Sequence, residues 1–395
     1  MCCSRERTVR ILDIRETTAS IAAPIRNAVI DFSQMTISVV AVVTDVVRSG
    51  RPVIGYGFTS NGRYAQSGIL RERMIPRLLV APAGELATGD GENIDPFRCR
   101  DVMMTNEKPG GHGERSAAVG VIDVALWDAV AKIEQKPLCR LLAERYGKGE
   151  PDDRVPVYAA GGYYYPRDDL QRLQDEFRGY LEMGFTSVKM KIGGAAIRED
   201  LDRIEAALEV VGDGSRLAVD ANARFDVETG IEYARALEPY GLRWYEEPVG
   251  VLDFEGLSRV RAATTTPIAT GENLFSFEDT RNLVRYGGLD PERDILQVDP
   301  VLGYGLVEYL RILEMLDDSG WSARRCIPHG GHQFGLHLAA GLGLGGNEAY
   351  PGVFEPFGQF SPEAKLENGE VSLPDAPGIG YEAVPPIWSV LRQLQ

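Results

Sequence analysis

The sequence predicts an α/β fold: a TIM-type barrel, either (β/α)7β or (β/α)8, with an α+β capping domain. Two observations lead to this prediction. Residues 8–58 alternate like antiparallel strands, whereas residues 189–348 contain short apolar runs that each end in a polar residue. The end residues of the second region are 29, 26, 26, 27 and 30 positions apart, about the length of one strand–helix unit. They are Lys191, Asp220, Glu246, Glu272, Asp299 and His329.

The capping domain is predicted over residues 1–150. Strands are expected at residues 9–15, 37–45 and 53–58, with a hairpin turn at 48–51. An alanine-rich apolar stretch, residues 116–131, is typical of a buried helix. Two loops, residues 20–31 and 59–64, are either plain surface turns or lids over the mouth of the barrel.

The barrel is predicted over residues 151–360, because the Gly-, Pro- and Asp-containing stretch 147–154 marks a boundary. Its first strand is expected at residues 155–160. The segment 361–395 is rich in Pro and Gly, and it is predicted to return to the capping domain.

Composition excludes several classes of function. A net charge of −16 and a pI near 4.9 argue against nucleic acid and anionic membrane surfaces as partners. No apolar run approaches the roughly 20 residues of a membrane helix, and none resembles a signal-peptide core. The cysteines are scattered without metal-type spacing, as expected for free thiols of a cytoplasmic protein. They are Cys2, Cys3, Cys99, Cys139 and Cys326.

The strongest chemical signal is a set of three carboxylates, Asp220, Glu246 and Glu272. The carboxyl ends of barrel strands meet at one mouth, so these side chains are expected to lie together. Their mutual repulsion would be cancelled by a hard divalent cation, and an all-oxygen site suits Mg²⁺, with Mn²⁺ as a possible substitute. One ion per subunit is predicted; the alternative is three separate helix caps. Glu247 is expected to face away from the mouth, because side chains alternate along a strand.

Two further pairs of residues are candidates for proton transfer. Lys189 and Lys191 share one strand face, and mutual crowding near a metal is expected to lower a lysine pKa toward that of a useful base. Asp299 and His329 end consecutive units, which predicts a carboxylate that orients an imidazole. The alternative for the lysines is a surface position on a slipped strand.

Other polar residues are given simpler roles. Glu348 falls where the eighth strand should end and is a further candidate for the site. His332 and His337 have no comparable partner in the pattern, so they are expected to be structural.

Taken together, these motifs resemble the mandelate racemase-like group of the enolase superfamily. The family's markers occur in order as KxK at 189–191, DxN at 220–222, EEP at 246–248 and GEN at 271–273, followed by Asp299 and His329. The resemblance covers essentially the whole chain. It implies proton abstraction next to a carboxylate, assisted by one Mg²⁺ per subunit. It also implies a homo-oligomer, either a dimer or an octamer.

The resemblance assigns roles to individual residues. Asp220, Glu246 and Glu272 match the Mg²⁺ ligands. Lys191 matches the base on one face of the substrate, with Lys189 near the substrate carboxylate. His329, held by Asp299, matches the acid or base on the opposite face, and Glu348 matches an acid that hydrogen-bonds the substrate carboxylate.

Four stretches, residues 60–64, 106–115, 159–165 and 330–333, are similar to the D-tartrate dehydratases. This similarity implies dehydration of D-tartrate to oxaloacetate. Asn61 and Lys108, both in the capping domain, are the candidates for binding the far carboxylate. The alternatives are dehydration of another sugar acid (an aldonate or aldarate), racemisation or epimerisation, and a non-catalytic protein that binds acid sugars.

Overall fold

The computed structural model describes residues 8–395, so Cys2 and Cys3 lie outside the described residues. The chain forms a three-stranded antiparallel sheet and a larger, mainly parallel sheet. The strands are β1 (Ile11–Ser20), β2 (Thr36–Arg48), β3 (Arg51–Phe58), β4 (Val155–Ala160), β5 (Val188–Lys191), β6 (Leu217–Asp220), β7 (Tyr245–Glu246), β8 (Ile268–Thr270), β9 (Ile295–Leu296), β10 (Asn347–Ala349), β11 (Leu366–Glu367) and β12 (Glu370–Val371).

The helices fall into two groups, before and after residue 150. The first group is α1 (Ser67–Ile69), α2 (Ile75–Val80), α3 (Ala83–Leu86), α4 (Pro96–Met103), α5 (Glu114–Ile133) and α6 (Leu138–Tyr146). The second is α7 (Asp169–Glu182), α8 (Ile197–Val211), α9 (Val227–Leu237), α10 (Phe254–Ala262), α11 (Phe277–Tyr286), α12 (Leu306–Asp318), α13 (Gln333–Leu342) and α14 (Pro385–Leu391). Every helix within residues 8–395 falls short of the length and apolar character that a membrane crossing requires.

The N-terminal sheet is the predicted meander, with α5 packed against it. Residues 39–43 of β2 are β-branched or small and buried on both faces, which explains the continuous apolar run. Gly55 and Gly57 of β3 allow α5 to approach closely, because a Cβ at either position would collide with the α5 backbone. The long helix is therefore buried along nearly its whole length, as its composition predicts.

The barrel has the (β/α)7β form. Strands β4 to β9 pair in parallel order, and β10 returns to pair with β4. The position between β9 and β10 is held by a single parallel bridge, Leu296 to Cys326. Seven strand–helix units precede β10, and within the described chain the next α-helix after β10 is α14. The eighth strand thus has no barrel helix of its own.

The C-terminal segment contacts both parts of the molecule. Strand β12 extends the barrel sheet by pairing antiparallel with β4, at Val371 and Val155. Further on, Trp388 of α14 meets the ring of Tyr56 edge-on at 5.7 Å, which places the end of the chain on the N-terminal sheet. The buried thiols Cys99, Cys139 and Cys326 are free.

Helix α5 also contacts the turn that follows β9. Gly120 packs directly on the carbonyl of Val301, where a Cβ would collide. The Asp123 carboxylate accepts the backbone N–H of Leu306 at 2.6 Å. In the same turn, the hydroxyl of Tyr304 lies 3.0 Å from Nε of Arg115 at the start of α5. The cap therefore supports the turn between β9 and α12, which begins near Asp299.

Candidate active site

Strand register brings the first site residues together. In the parallel pairing, Lys191 of β5 lies beside Asp220 of β6, and Asp220 lies beside Glu246 of β7. Glu272 follows β8 after Gly271, whose φ of 126° turns the chain at the strand end. Oxygen atoms of Asp220, Glu246 and Glu272 all lie within 4.8 Å of one another. The barrel mouth therefore holds the three carboxylates as one cluster.

The cluster fits a hard divalent cation. Burial, together with the carboxylates of Asp220 and Glu272, raises the pKa of Glu246 to about 8 although Lys189 lowers it. Positive charge from a cation would relieve this crowding. Trp244 and Gln297 donate to Oε2 of Glu246 at 2.7 and 2.9 Å, which fixes the carboxylate. The all-oxygen donor set suits Mg²⁺.

Both lysines are buried beside these acids. Nζ of Lys191 lies 2.5 Å from Oδ2 of Asp220, and Nζ of Lys189 lies 2.5 Å from Oε1 of Glu246. Burial and Lys189 lower the pKa of Lys191, but Asp220 outweighs them and holds it above its ordinary value. This direction is opposite to the one that the pair of lysines predicts, because each ammonium has a carboxylate oxygen 2.5 Å away.

The Asp299–His329 pair forms on the other side of the cluster. Nδ1 of His329 lies 2.8 Å from Oδ2 of Asp299. The second carboxylate oxygen of Asp299 accepts the backbone N–H groups of Val301 and Leu302, which fixes the acid in the turn after β9. Burial lowers the pKa of His329, but Glu272 and Asp299 raise it to about 10. Both acids thus favour the protonated imidazole, which is the form that can give a proton.

Glu348 lies in β10 as a buried, charged carboxylate. Its Oε1 is 2.8 Å from Nζ of Lys189. Burial opposes its ionisation, but Lys189 and His329 hold its pKa down to about 2. In the structure Glu348 is thus an ionised carboxylate paired with Lys189, whereas the resemblance implies an acid at this position.

A cavity of about 240 Å³ lies between the cap loops and the barrel mouth. Among the residues expected at the site, Lys191, Glu272, His329 and Asn61 line it. Lys108 does not: it is exposed on the loop between α4 and α5. The structure therefore does not bring this candidate for substrate binding to the cavity.

Glu247, Arg63 and Tyr350 are among the other residues that line the cavity, and none of them was assigned to the site from the sequence. The expectation that Glu247 faces away is wrong. Strand β7 ends at Glu246, and Glu247 has a φ of 40°, so the alternation of a strand no longer applies. Its two oxygens accept from Nδ2 of Asn273 at 3.0 and 3.1 Å. Arg63 lies within one of the stretches noted above, but its partner is 210 positions away and no local pattern indicates it.

The remaining histidines have partners inside the protein. His337 accepts the backbone N–H of Cys139 at Nδ1 and contacts the carbonyl of Ile379 through Nε2, at 3.1 and 3.0 Å. This arrangement agrees with a structural role. His332 is paired as well, because its Nε2 lies 3.0 Å from the hydroxyl of Ser60 in the cap.

Comparisons with known proteins agree with this architecture. Residues 172–386 match the family model described as enolase C-terminal domain-like. The chain is 32% identical to the arabinonate dehydratase of Saccharolobus solfataricus over 69% of this chain and 71% of that protein. It is 31% identical to the L-talarate/galactarate dehydratase of Salmonella typhimurium over 91% of this chain and 85% of that protein.

A solved structure gives the same result for the fold. The crystal structure of a racemase from Streptomyces coelicolor A3(2) with bound magnesium superposes with a TM-score of 0.77 at 27% identity, covering 97% of this chain and 99% of that one. A capped (β/α)7β barrel with a carboxylate cluster at its mouth defines the class of enolase-like barrels. This chain belongs to the enolase C-terminal domain-like family, in the mandelate racemase-like group of the enolase superfamily.

Proposed function

We propose that this chain is a Mg²⁺-dependent hydro-lyase that dehydrates a small hydroxy acid with two carboxylates, with D-tartrate, yielding oxaloacetate, as the substrate to test first. One observation carries the proposal. Lys191 lies on one side of the carboxylate cluster, the Asp299–His329 pair lies on the other, and Lys191 and His329 line the same cavity. Binding alone has no use for two proton-transfer groups that flank a metal site, whereas elimination of water needs both.

Asp220, Glu246 and Glu272 would hold the ion, which supplies positive charge for the substrate carboxylate. With the ion neutralising Asp220, the positive charge that the acid now favours on Lys191 would no longer be favoured, and Lys191 in its neutral form would take the proton from the carbon next to that carboxylate. Lys189, fixed by Glu246 and Glu348, stabilises the negative charge that develops on the carboxylate oxygens.

His329 then completes the elimination. Its Nε2 proton passes to the hydroxyl on the neighbouring carbon as the C–O bond breaks, so that one water leaves. The resulting enol takes up a proton at carbon and becomes the keto acid. Asp299 keeps the imidazole oriented throughout, because its other oxygen is tied to the backbone.

Aromatic side chains limit the access of water to this chemistry. Phe32, from the cap loop after β1, packs edge-on against Tyr163 and Phe354 at ring distances of 6.3 and 5.1 Å. Phe32 is 4% exposed, so this contact closes one side of the cavity. Excluding water strengthens the electrostatic interactions on which proton transfer depends.

Size and charge support a short diacid. A cavity of about 240 Å³ is below the roughly 300–1,000 Å³ of typical small-molecule sites. Arg63 places a guanidinium on the cap side of the cavity, away from the barrel lysines, where a second carboxylate would lie. A longer sugar acid, such as those named for the relatives, remains the alternative substrate class.

A substrate screen tests the proposal. The purified protein with Mg²⁺ is offered the three tartrate stereoisomers, galactarate and arabinonate, and keto-acid release is followed after trapping with semicarbazide. We expect release from one tartrate isomer. Turnover of a longer acid alone would refute the tartrate assignment, and Mg²⁺ binding without release from any hydroxy acid would favour the non-catalytic alternative.

Racemisation is a second candidate, because Lys191 and His329 both line the cavity and could each exchange a proton with the same carbon. Incorporation of solvent deuterium with inversion and without loss of water would support racemisation over dehydration.

A further inference from the structure

Tyr350 directly follows β10 and is held rigidly at the cavity wall. It is 3% exposed, and its ring packs edge-on against Phe354 at 5.0 Å. Gly331 packs against the same ring, and a Cβ at this glycine would collide with it. The position of the phenol hydroxyl is therefore fixed by packing on both sides.

The Tyr350 hydroxyl contacts both Glu348 and His329. It lies 2.8 Å from Oε2 of Glu348 and 3.2 Å from Nε2 of His329. A phenol has one proton to donate and lone pairs with which to accept. The ionised carboxylate of Glu348 can only accept, so the phenol proton is directed to Glu348 and the phenol oxygen faces the imidazole.

The imidazole is thereby oriented from both of its nitrogens. Nδ1 lies 2.8 Å from Asp299, and Nε2 lies 3.2 Å from the phenol oxygen, whose own proton is donated to Glu348. A histidine held at one nitrogen only can still rotate about that hydrogen bond. The second contact removes this freedom and fixes the orientation of the imidazole ring at the cavity wall.

We propose that Tyr350 is a positioning residue for the acid half of the reaction: its hydroxyl fixes the ring orientation of His329, so that the departing hydroxyl of a bound substrate takes the place of the phenol oxygen as acceptor of the Nε2 proton. Tyr350 keeps its own proton on the side of Glu348 and neither gains nor loses one. The inference rests on the proposed function for its kinetic test, while its spectroscopic test needs no substrate.

The matched pair of variants is Tyr350→Phe and Tyr309→Phe. Tyr309 is also a buried tyrosine, in α12, but its hydroxyl has no hydrogen-bond partner among the described residues. Each change removes one oxygen from a buried ring, so the pair separates loss of a contact from the general effect of the substitution.

The first measurement is ¹⁵N NMR of the imidazole signals in the Mg²⁺-loaded protein, which has four histidines. We expect Tyr350→Phe to shift the Nε2 signal of His329 and to leave that of His337 in place, and Tyr309→Phe to change neither. An unchanged His329 signal in Tyr350→Phe would overturn the proposal, whatever the protein's reaction.

The second measurement compares two rates in D₂O with the acid that the wild type dehydrates. Lys191 still removes the proton next to the carboxylate in Tyr350→Phe, so exchange with solvent deuterium persists. Release of water should fall about tenfold to a hundredfold, a part of the 10² to 10⁴ that a well-placed acid contributes. An equal loss of exchange and dehydration, or full dehydration, would contradict the positioning role.

Discussion

Nη2 of Arg63 lies 3.0 Å from Oδ1 of Asn273, so that a cap loop is hydrogen-bonded to the loop that carries Glu272. The guanidinium also stacks on Phe275, with 4.7 Å between Cζ and the ring centre. Nδ2 of Asn273 in turn donates to Glu272 at 3.3 Å. The cap side of the cavity is thereby connected to the predicted metal site through two side chains.

Replacing this guanidinium should reduce selectivity for diacids. We expect Arg63→Gln to lower kcat/KM for a dicarboxylate about tenfold to a hundredfold, because a charge-assisted hydrogen bond contributes roughly 1.5–3 kcal/mol. A monocarboxylate should lose much less. Steady-state kinetics with both acids measures the ratio, and Lys108→Ala provides the comparison. A larger loss in Lys108→Ala would show that the loop between α4 and α5 reaches the site after all.

Lys191→Ala should abolish turnover while the protein stays able to bind Mg²⁺. The change removes the base, which typically contributes 10² to 10⁴ in rate, but it leaves all three carboxylates in place. Keto-acid release reports the first effect, and the Mg²⁺-dependent rise in melting temperature reports the second. Wild-type turnover in this variant would remove the base from the proposed mechanism.

Mg²⁺ should stabilise the protein through the carboxylate cluster. A ligand that binds only the folded state adds about 2.7 kcal/mol when its concentration is 100 times its Kd. We expect thermal unfolding of the wild type to shift upward with Mg²⁺, and that of Glu272→Gln to shift little. Glu278→Gln, an exposed change in the first turn of α11, should behave like the wild type. Equal shifts in all three proteins would place the ion elsewhere.

His337 should make the fold sensitive to acid. Burial lowers its pKa to about 4, whereas the unfolded chain keeps the ordinary value of 6.5. The unfolded state therefore takes up a proton first as the pH falls, and stability is lost from about pH 6.5 down to about pH 4. This one group should cost about 2 kcal/mol between pH 7 and pH 5. Urea unfolding at both pH values measures the loss.

The control for this effect is His337→Gln, which retains polar atoms but does not titrate. The variant should be less stable than the wild type at pH 7, because its hydrogen bonds to Cys139 and Ile379 are disturbed. Its further loss between pH 7 and pH 5 should nevertheless be smaller. A loss equal to that of the wild type would show that other groups, such as His332 with a pKa also lowered to about 4, account for the acid sensitivity.

Gly120→Ala should impair the site through the cap. A Cβ at residue 120 would collide with the Val301 carbonyl, and the N–H of Val301 is one of the two that fix Asp299. We expect a lower melting temperature together with a lower kcat and a nearly unchanged Mg²⁺ affinity. Gly179→Ala, on α7 where a Cβ meets nothing within 4 Å, is the control and should leave the site intact.

The sequence predicted those parts of the molecule that depend on local repetition. Lys191, Asp220 and Glu246 come together because each ends a strand in a series of similar strand–helix units, and such units have a nearly constant length. The (β/α)7β form was left open, because the seventh strand is reduced to one bridge at Cys326 and the helix after β10 is absent from the barrel.

Other parts depend on contacts that no short pattern contains. Arg63 meets Asn273 only because the cap lies over the barrel. Glu247 enters the cavity because β7 is two residues long and the next residue adopts a positive φ. The upward shift of the Lys191 pKa depends on which charged side chain lies nearest, and residue spacing does not contain that information.

The contact between α5 and the turn after β9 affects how substrate preference can change among proteins of this architecture. A tilt of α5 would move Val301 and, through the N–H of Val301, Asp299, which orients His329. The position of α5 therefore affects the proton transfer that all substrates share. Residues of the loops 20–31 and 59–64 line the cavity directly. We therefore expect substrate preference to change through substitutions in those loops, while α5 keeps its small residues.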